Sequence, residues 1–491
     1  MPRQPGGPPP PPPPVPPNVP PHAPWDAPPP RPPDRGPSEG GRPNQGLVAA
    51  LAVALAVSLA VSTILALRVK DESDQQARLN DRVAALQDEI DALRRQQPQG
   101  GRTLLDRIAA AVEVIRQLKF KTPVKSELLT DKELAARVEQ RYLTNTSRAE
   151  VDQSDAVLTA LGLLGPKDDL YDITLNVVRE QVAGFYDTKK KVLVVGGDVK
   201  NPTPLDQVLL SHEYVHAVTD QYYDLTRIDK LQKQHKDDEA TALLSLVEGD
   251  ATVMMFDYAA RYLTPSERTE VQKEASTAPS QHLESAPKAL RDALLFPYDE
   301  GARFVRALIA EGGIAALNRA YQDPPTSTEQ ILHPSKYLGA QRDNPMPVTV
   351  PDLSRAMGSG WKTIEGGGVG ELDLRLIIDQ FLPSADAERA AAGWGGGRYA
   401  AAQSSKGTVV AALTAWDSEN EAREATETLG RWLPARYGNQ GADFRIEGPS
   451  GRGWDSTSGA GAVLRVGSQV LLIVAPDRAS VDTARSAFAG F

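Results

Sequence analysis

The sequence predicts an α+β protein held on a membrane tether, and three observations carry that prediction. Apolar residues recur at helical spacing through Leu205–Gln221 and through Asp237–Leu263. Two β-rich runs, Val182–Tyr186 and Val192–Val195, flank a polar turn around Asp187–Lys190, as strands of a hairpin do. Leu47–Leu67 is 21 residues without a charge, built from eleven Leu, Val or Ile, seven Ala and three Ser or Thr.

The chain has 491 residues and 40 prolines, of which 21 fall within the first 43 positions. Residues 1–46 hold almost no large apolar side chains and cannot offset the entropy of ordering, so a disordered Pro-rich tail of polyproline character is expected. An SH3-like or WW-like partner could read such a tail, but a plain flexible tail is the better reading. At 1.5 Å per residue, 47–67 spans about 30 Å, the thickness of a bilayer core, and is expected to form one transmembrane helix. A cleaved signal peptide fits less well, because 46 residues precede the apolar run and Leu-Arg-Val follows it. The flanks carry Arg31, Arg35 and Arg42 on one side against Arg68, Lys70, Arg78 and Arg82 on the other, which does not orient the span. A short tail with no export signal of its own favours a single-pass protein of the cell membrane with its large C-terminal part outside. Leu79, Val83, Leu86, Ile90 and Leu93 then mark a short heptad seam within 68–101, a stalk that could pair in a homodimer or simply stand exposed.

Two globular parts follow. In 102–384 the pattern gives a helix over Leu104–Leu118, an extended Phe120–Leu129 and a capping box, Thr130 to Glu133, opening a helix that runs to about Tyr142. In 385–491, strand-like Thr408–Leu413 precedes helical Ser418–Leu433. The strands Ala462–Val466 and Val470–Val474 and a helix from about Ser480 complete the part. A β-α-β-β-α order predicts a small α+β module of ferredoxin-like type. It contains no histidine.

Composition excludes several chemistries. A net charge of −10 and the lack of a basic stripe with interleaved aromatics argue against a nucleic-acid partner. With no cysteine there is no disulfide, thiol nucleophile or thiolate ligand, so any zinc must be held by His and carboxylate groups.

Such groups occur in Ser211-His212-Glu213-Tyr214-Val215-His216. Four residues apart on a helix, His212 and His216 share one face and can close on a single zinc at about 2.0–2.1 Å. Glu213, beside the first ligand, can act as general base on water instead of binding the metal. The competing reading is a helix with two solvated histidines, but HExxH is a recognised metalloprotease signature. A catalytic zinc needs a third protein ligand. Glu248, set among Leu246, Val247, Ala251, Val253 and Met254, is the candidate, since burying an acid there is costly unless it is paired or bound. Glu239 falls on the opposite face. An exposed acid on a helix face is the alternative for Glu248.

Taken together these residues resemble the gluzincin-type zinc metallopeptidases, in which HExxH is completed by a downstream Glu. The chain looks more narrowly like a peptidase-MA-like group of bacterial membrane-anchored metallopeptidases. The matching blocks are Gly184-Phe-Tyr-Asp187, His212–Ala217 with Asp220-Gln221, Val247-Glu-Gly-Asp-Ala-Thr252, Phe296-Pro-Tyr298, Gly301 with Phe304-Val305, and Ser327–Pro334. They cover roughly residues 105–345, and more loosely Gly393–Gly397. The resemblance implies a mainly helical zincin-like domain with a small sheet, one Zn2+ per chain on His212, His216 and Glu248, and peptide-bond hydrolysis with Glu213 as general base. Thr252 stands where the gluzincin pattern has a supporting Asp, which leaves Asp250 and Asp220 as candidates to orient the ligands. His333 and Tyr337 are candidate oxyanion donors, although an isolated His before Pro is more often structural. His235 and His282 sit in polar stretches, and His22 in the tail. A peptide or protein substrate is expected. The alternatives are an inactive zincin-fold scaffold and a cell-envelope interaction protein working through its tail and C-terminal module.

Overall fold

The computed structural model describes residues 103–145, 147–180, 184–196, 202–277 and 280–491, all within one compact unit. The tail, the span at 47–67 and the heptad seam lie outside them. Among the described residues no helix is long and apolar enough to cross a membrane.

The described chain is α+β. The first half runs α1 (Leu104–Arg116), β1 (Lys125–Leu128), α2 (Asp131–Asn145), α3 (Arg148–Leu161), α4 (Leu170–Glu180), β2 (Gly184–Asp187) and β3 (Val192–Val195). Next come α5 (Pro204–Tyr223), α6 (Arg227–Lys233), α7 (Asp237–Tyr262), α8 (Pro265–Thr277), α9 (Gln281–Ser285) and α10 (Lys288–Gln322). The three strands form a small sheet in the order β1-β3-β2, with β1 parallel and β2 antiparallel to β3. β2 is therefore an edge strand, and it lies along α5.

Local signals set the key helix. Thr203 caps α5, its Oγ accepting from the Asp206 amide at 3.2 Å while Asp206 accepts from the Thr203 amide at 2.8 Å, and Pro204 takes the first helical position. The capping box read at Thr130 and Glu133 is present in the same reciprocal form. Every residue of α5 from Val208 to Asp220 is buried, as is nearly all of α7 from Ala240 to Met255. These two helices, with α1 and α10, make the first core, which includes Ile108, Val208, Val215, Leu246, Met255 and Phe304.

The crossing of α7 and α10 depends on glycine. A methyl group on Gly249 would collide with the backbone of Gly301, and one on Gly301 with the Ser245 carbonyl. Backbone cannot yield as a flexible side-chain end can. Gly249→Ala should therefore cost about 1–3 kcal/mol, the ordinary penalty of overpacking. A urea-unfolding midpoint equal to that of the parent would show that the helices separate freely. α10 is itself broken at Gly312 and Gly313, the latter at φ +62°, where the left-handed backbone favours glycine.

The second half continues with α11 (Thr328–Leu332), α12 (Pro334–Leu338), α13 (Leu353–Met357), β4 (Lys362–Gly368), α14 (Glu371–Asp379) and α15 (Ser384–Ala391). It ends with β5 (Trp394–Ser404), β6 (Gly407–Trp416), α16 (Glu419–Arg436), β7 (Ala442–Phe444), β8 (Ser450–Ser456), β9 (Gly459–Val466), β10 (Gln469–Ala475) and α17 (Arg478–Arg485). Its sheet is antiparallel throughout and ordered β4-β5-β6-β10-β9-β8-β7. Both faces are covered. Val410, Val470, Leu472 and Val474 join the core that includes Trp394 and Trp432, whereas Val409, Ala411, Leu471 and Ile473 join the core with Leu353 and Val481. That is why these strands read as continuous apolar runs instead of alternating ones.

The expected ferredoxin-like module needs correction. β6, α16, β9 and β10 do form the anticipated split unit, with β10 between β6 and β9. On the free side of β6, however, stands the preceding hairpin strand β5, not a fourth strand after the last helix, and seven strands replace four. β4 and β5 were hidden by glycine: Gly366–Gly368 and Gly395–Gly397 lack the side chains that mark a strand. The sheet also begins with β4, upstream of residue 385.

Candidate metal centre

One turn apart on α5, His212 and His216 point the same way, and α7 brings Glu248 to them. His216 Nε2 is 2.9 Å from His212 Nε2, and Glu248 Oε2 is 3.1 Å from the first imidazole and 3.3 Å from the second. Ligands at about 2.0–2.1 Å in a tetrahedron stand about 3.3 Å apart. The observed triangle is slightly tighter, so three donor atoms already converge on one point and need spread only by tenths of an ångström. All three residues are nearly or fully buried, with 0%, 8% and 12% of the side chain exposed. The donor set and its spacing fit zinc.

The electrostatics favour a cation at that point. Burial works against the Glu248 charge, but the two imidazoles override it and hold the carboxyl down at about 2. Burial alone would lower both histidines, and it takes His212 to about 4; Glu248 reverses the effect at His216 and raises it to about 9.

Glu213 is placed differently from the ligands. It is buried, its Oε2 accepts from the Tyr186 amide at 2.7 Å, and its Oε1 has no partner among the described residues. Burial pushes its carboxyl up to about 7. Tyr186 belongs to β2, and its hydroxyl donates to Asp220 Oδ2 at 2.9 Å, which also receives Lys191 Nζ at 2.6 Å. Asp220 Oδ1 accepts from the Leu225 amide. Asp220 therefore fastens the strand that holds Glu213 and does not bond to an imidazole.

Asp250 is likewise engaged elsewhere. Its Oδ2 accepts from Arg116 Nε and from the Tyr321 hydroxyl, both at 2.9 Å, and Arg116 Nη1 reaches Asn318 Oδ1 at 2.7 Å. Both members of this ion pair are 0% exposed. The Nδ1 atoms of His212 and His216 are buried without hydrogen-bond partners among the described residues, and so is Thr252 Oγ1.

The two proposed oxyanion donors have their polar ends committed. His333 Nε2 lies 3.0 Å from Glu371 Oε1, with Arg375 on the same carboxylate, and Tyr337 Oη donates to the Asp323 carbonyl at 2.8 Å. Glu239 pairs with Lys236. The aromatic group that does meet the histidines is Tyr298 of α10, whose ring stacks on His212 with centroids 6.4 Å apart and planes 30° apart. Sequence reasoning noted the Phe296-Pro-Tyr298 block but gave Tyr298 no role. It also missed Arg116, which no motif marks. A second acidic group, Glu329, Asp343 and Asp417, is filled by Lys336 Nζ at 2.6, 2.9 and 2.7 Å, so it is an ion-pair clip.

Comparison with known proteins adds little to this picture. Residues 362–485 match the model of a domain of unknown function, DUF8575. That stretch runs from β4 into the last helix and leaves His212, His216 and Glu248 outside. No curated protein matches. A crystal structure from Chloroflexus aurantiacus, provisionally described as a hydrolase with a novel fold, is similar at 16% identity over 58% of this chain and 98% of that one, with a TM-score of 0.32.

Proposed function

We propose that this protein is a zinc-dependent metallopeptidase, tethered to the membrane by residues 47–67 with its folded part outside the cytoplasm. The observation that carries the activity is the buried triangle of His212 Nε2, His216 Nε2 and Glu248 Oε2, with the uncommitted Glu213 Oε1 one residue away. Two helices presenting HExxH and a downstream Glu, beside a small sheet with an edge strand, support reading the first half as zincin-like.

His212, His216 and Glu248 would hold the zinc, which when bound supplies Lewis acidity to water and to a scissile carbonyl. The remaining chemistry belongs to the chain. Tyr186 fixes one oxygen of Glu213, so the other is the one that takes a proton from the attacking water and returns it to the leaving amine. A carboxyl raised to about 7 is suited to both steps at neutral pH. Burial around α5 and α7 keeps bulk water from competing.

The ligand assignment has a direct check. Elemental analysis of the purified protein should give one zinc per chain, and His212→Ala and Glu248→Ala should each lose it or hold it far more weakly. Zinc retained at the parental level in Glu248→Ala would remove Glu248 from the ligand set.

A further inference from the structure

A cavity opens between the helical part and the seven-stranded sheet. Its cavity volume is about 80 Å³, room for a few heavy atoms and less than the roughly 150 Å³ of a cavity that holds benzene. Its wall is mainly apolar, with Leu158, Leu290, Leu372, Ile377 and Val410, and includes Tyr399. Asp237, Asp238 and Asp373 line it as well. Three acids in such a wall are costly unless something pairs with them.

The protein supplies only part of that pairing. Asp373 Oδ2 accepts from the Gly370 amide at 2.8 Å. Asp238 Oδ1 accepts from the Thr328 amide and hydroxyl, but its Oδ2 has no partner. Asp237 is 8% exposed, and neither of its oxygens makes a hydrogen bond of normal geometry, although the Gly368 amide contributes to its electrostatics. Both Asp237 and Asp238 occupy the first turn of α7, where the helix dipole favours negative charge without pairing those oxygens. Around them stand Glu365 on β4 and Asp373 and Glu371 on α14, which oppose further negative charge. Arg398 on β5 is the cation that acts on Asp237. Burial pushes Asp237, Asp238 and Glu365 each up to about 7.

The sheet makes room for these carboxylates. A methyl group on Gly367 would collide with Asp237 Oδ2, and one on Gly370 with Asp238 Oδ1. Among the described residues, no three oxygens of this cluster lie within 4.8 Å of one another, unlike the donor atoms at His212. Its carboxylates therefore do not converge on one metal ion as the donors at His212 do. A cation carried on an apolar body suits both halves of the cavity.

We propose that this cavity binds a small organic cation, a primary ammonium on an apolar tail of two or three carbons, with Asp237 and Asp238 receiving the ammonium. The site is separate from the metal centre. Asp238 precedes Glu248 by ten residues on α7, about 15 Å along the helix. Nothing in it depends on zinc.

Calorimetric titration of the full-length protein with propylamine, 1-propanol and propionate compares three ligands of similar size and different charge. Propylamine should bind saturably at one site per chain, at least about tenfold more tightly than the alcohol, as charged hydrogen bonds allow, and propionate should not bind. Asp237→Asn should weaken the amine about tenfold or more and leave the alcohol unchanged. If that variant does not fold, the comparison among ligands on the parent protein still decides. Equal affinity for amine and alcohol would overturn the proposal, as would undiminished amine binding by folded Asp237→Asn or no saturable binding by any of the three.

Discussion

Glu213→Gln should keep its zinc and its fold and lose hydrolysis of an unfolded protein substrate by about 10²–10⁴-fold, the usual worth of general acid–base catalysis. The reasoning rests on two different oxygens. The amide carbonyl of Gln can still accept from the Tyr186 N–H, so the contact between α5 and β2 survives. The other position becomes an NH2 group, which cannot take a proton from water. Removing a buried carboxyl should not lower stability, since burial already disfavours its charge. Zinc content, melting temperature and turnover, measured on one preparation, separate the role of base from that of ligand. Parental turnover in a zinc-loaded Glu213→Gln protein would end the proposed mechanism, and loss of zinc would make Glu213 part of the metal site.

The second large effect lies beneath the site. Arg116→Met should destabilise the fold by about 3–5 kcal/mol, because it strands Asp250 in a fully buried place. Burial opposes the Arg116 charge, yet Asp250 more than compensates and holds its pKa above the ordinary value. Tyr321 alone would then remain on the carboxylate. Adding Asp250→Leu to Arg116→Met should recover much of the loss, since an apolar pair replaces a stranded charge. Urea unfolding of the two single variants and the double variant forms a cycle. Strictly additive losses would show that the two groups do not act as a pair.

What the sequence disclosed follows from how local each signal is. The spacing of His212 and His216 and the capped start of α5 depend on residues within one or two turns, and the structure places the two imidazoles together. Glu248 was found by its apolar neighbours, a burial argument that needs no knowledge of its partner. Arg116, Tyr298 and Tyr321 were not found, because each matters through a contact more than 70 residues away and none stands in a telling local pattern. Asp220 and Asp250 were picked out as supports for the histidines; the structure engages them with Tyr186 and Arg116 instead. β4 and the start of β5 escaped for the opposite reason, since glycine gives a strand no periodicity to read.

The hold of Tyr186 on Glu213 ties the proposed base to an edge strand of its sheet. β2 has β3 on one side and no strand on the other, and in native proteins such edges open more readily than strands paired on both sides. Each time β2 frays, the Tyr186 amide leaves the carboxylate and the side chain is free to turn. The lifetime of the strand pairing is therefore also the interval over which the proposed proton acceptor keeps its aim. Lys191 and Asp220, which anchor Tyr186 from its hydroxyl end, lengthen that interval without touching either the histidines or the glutamate.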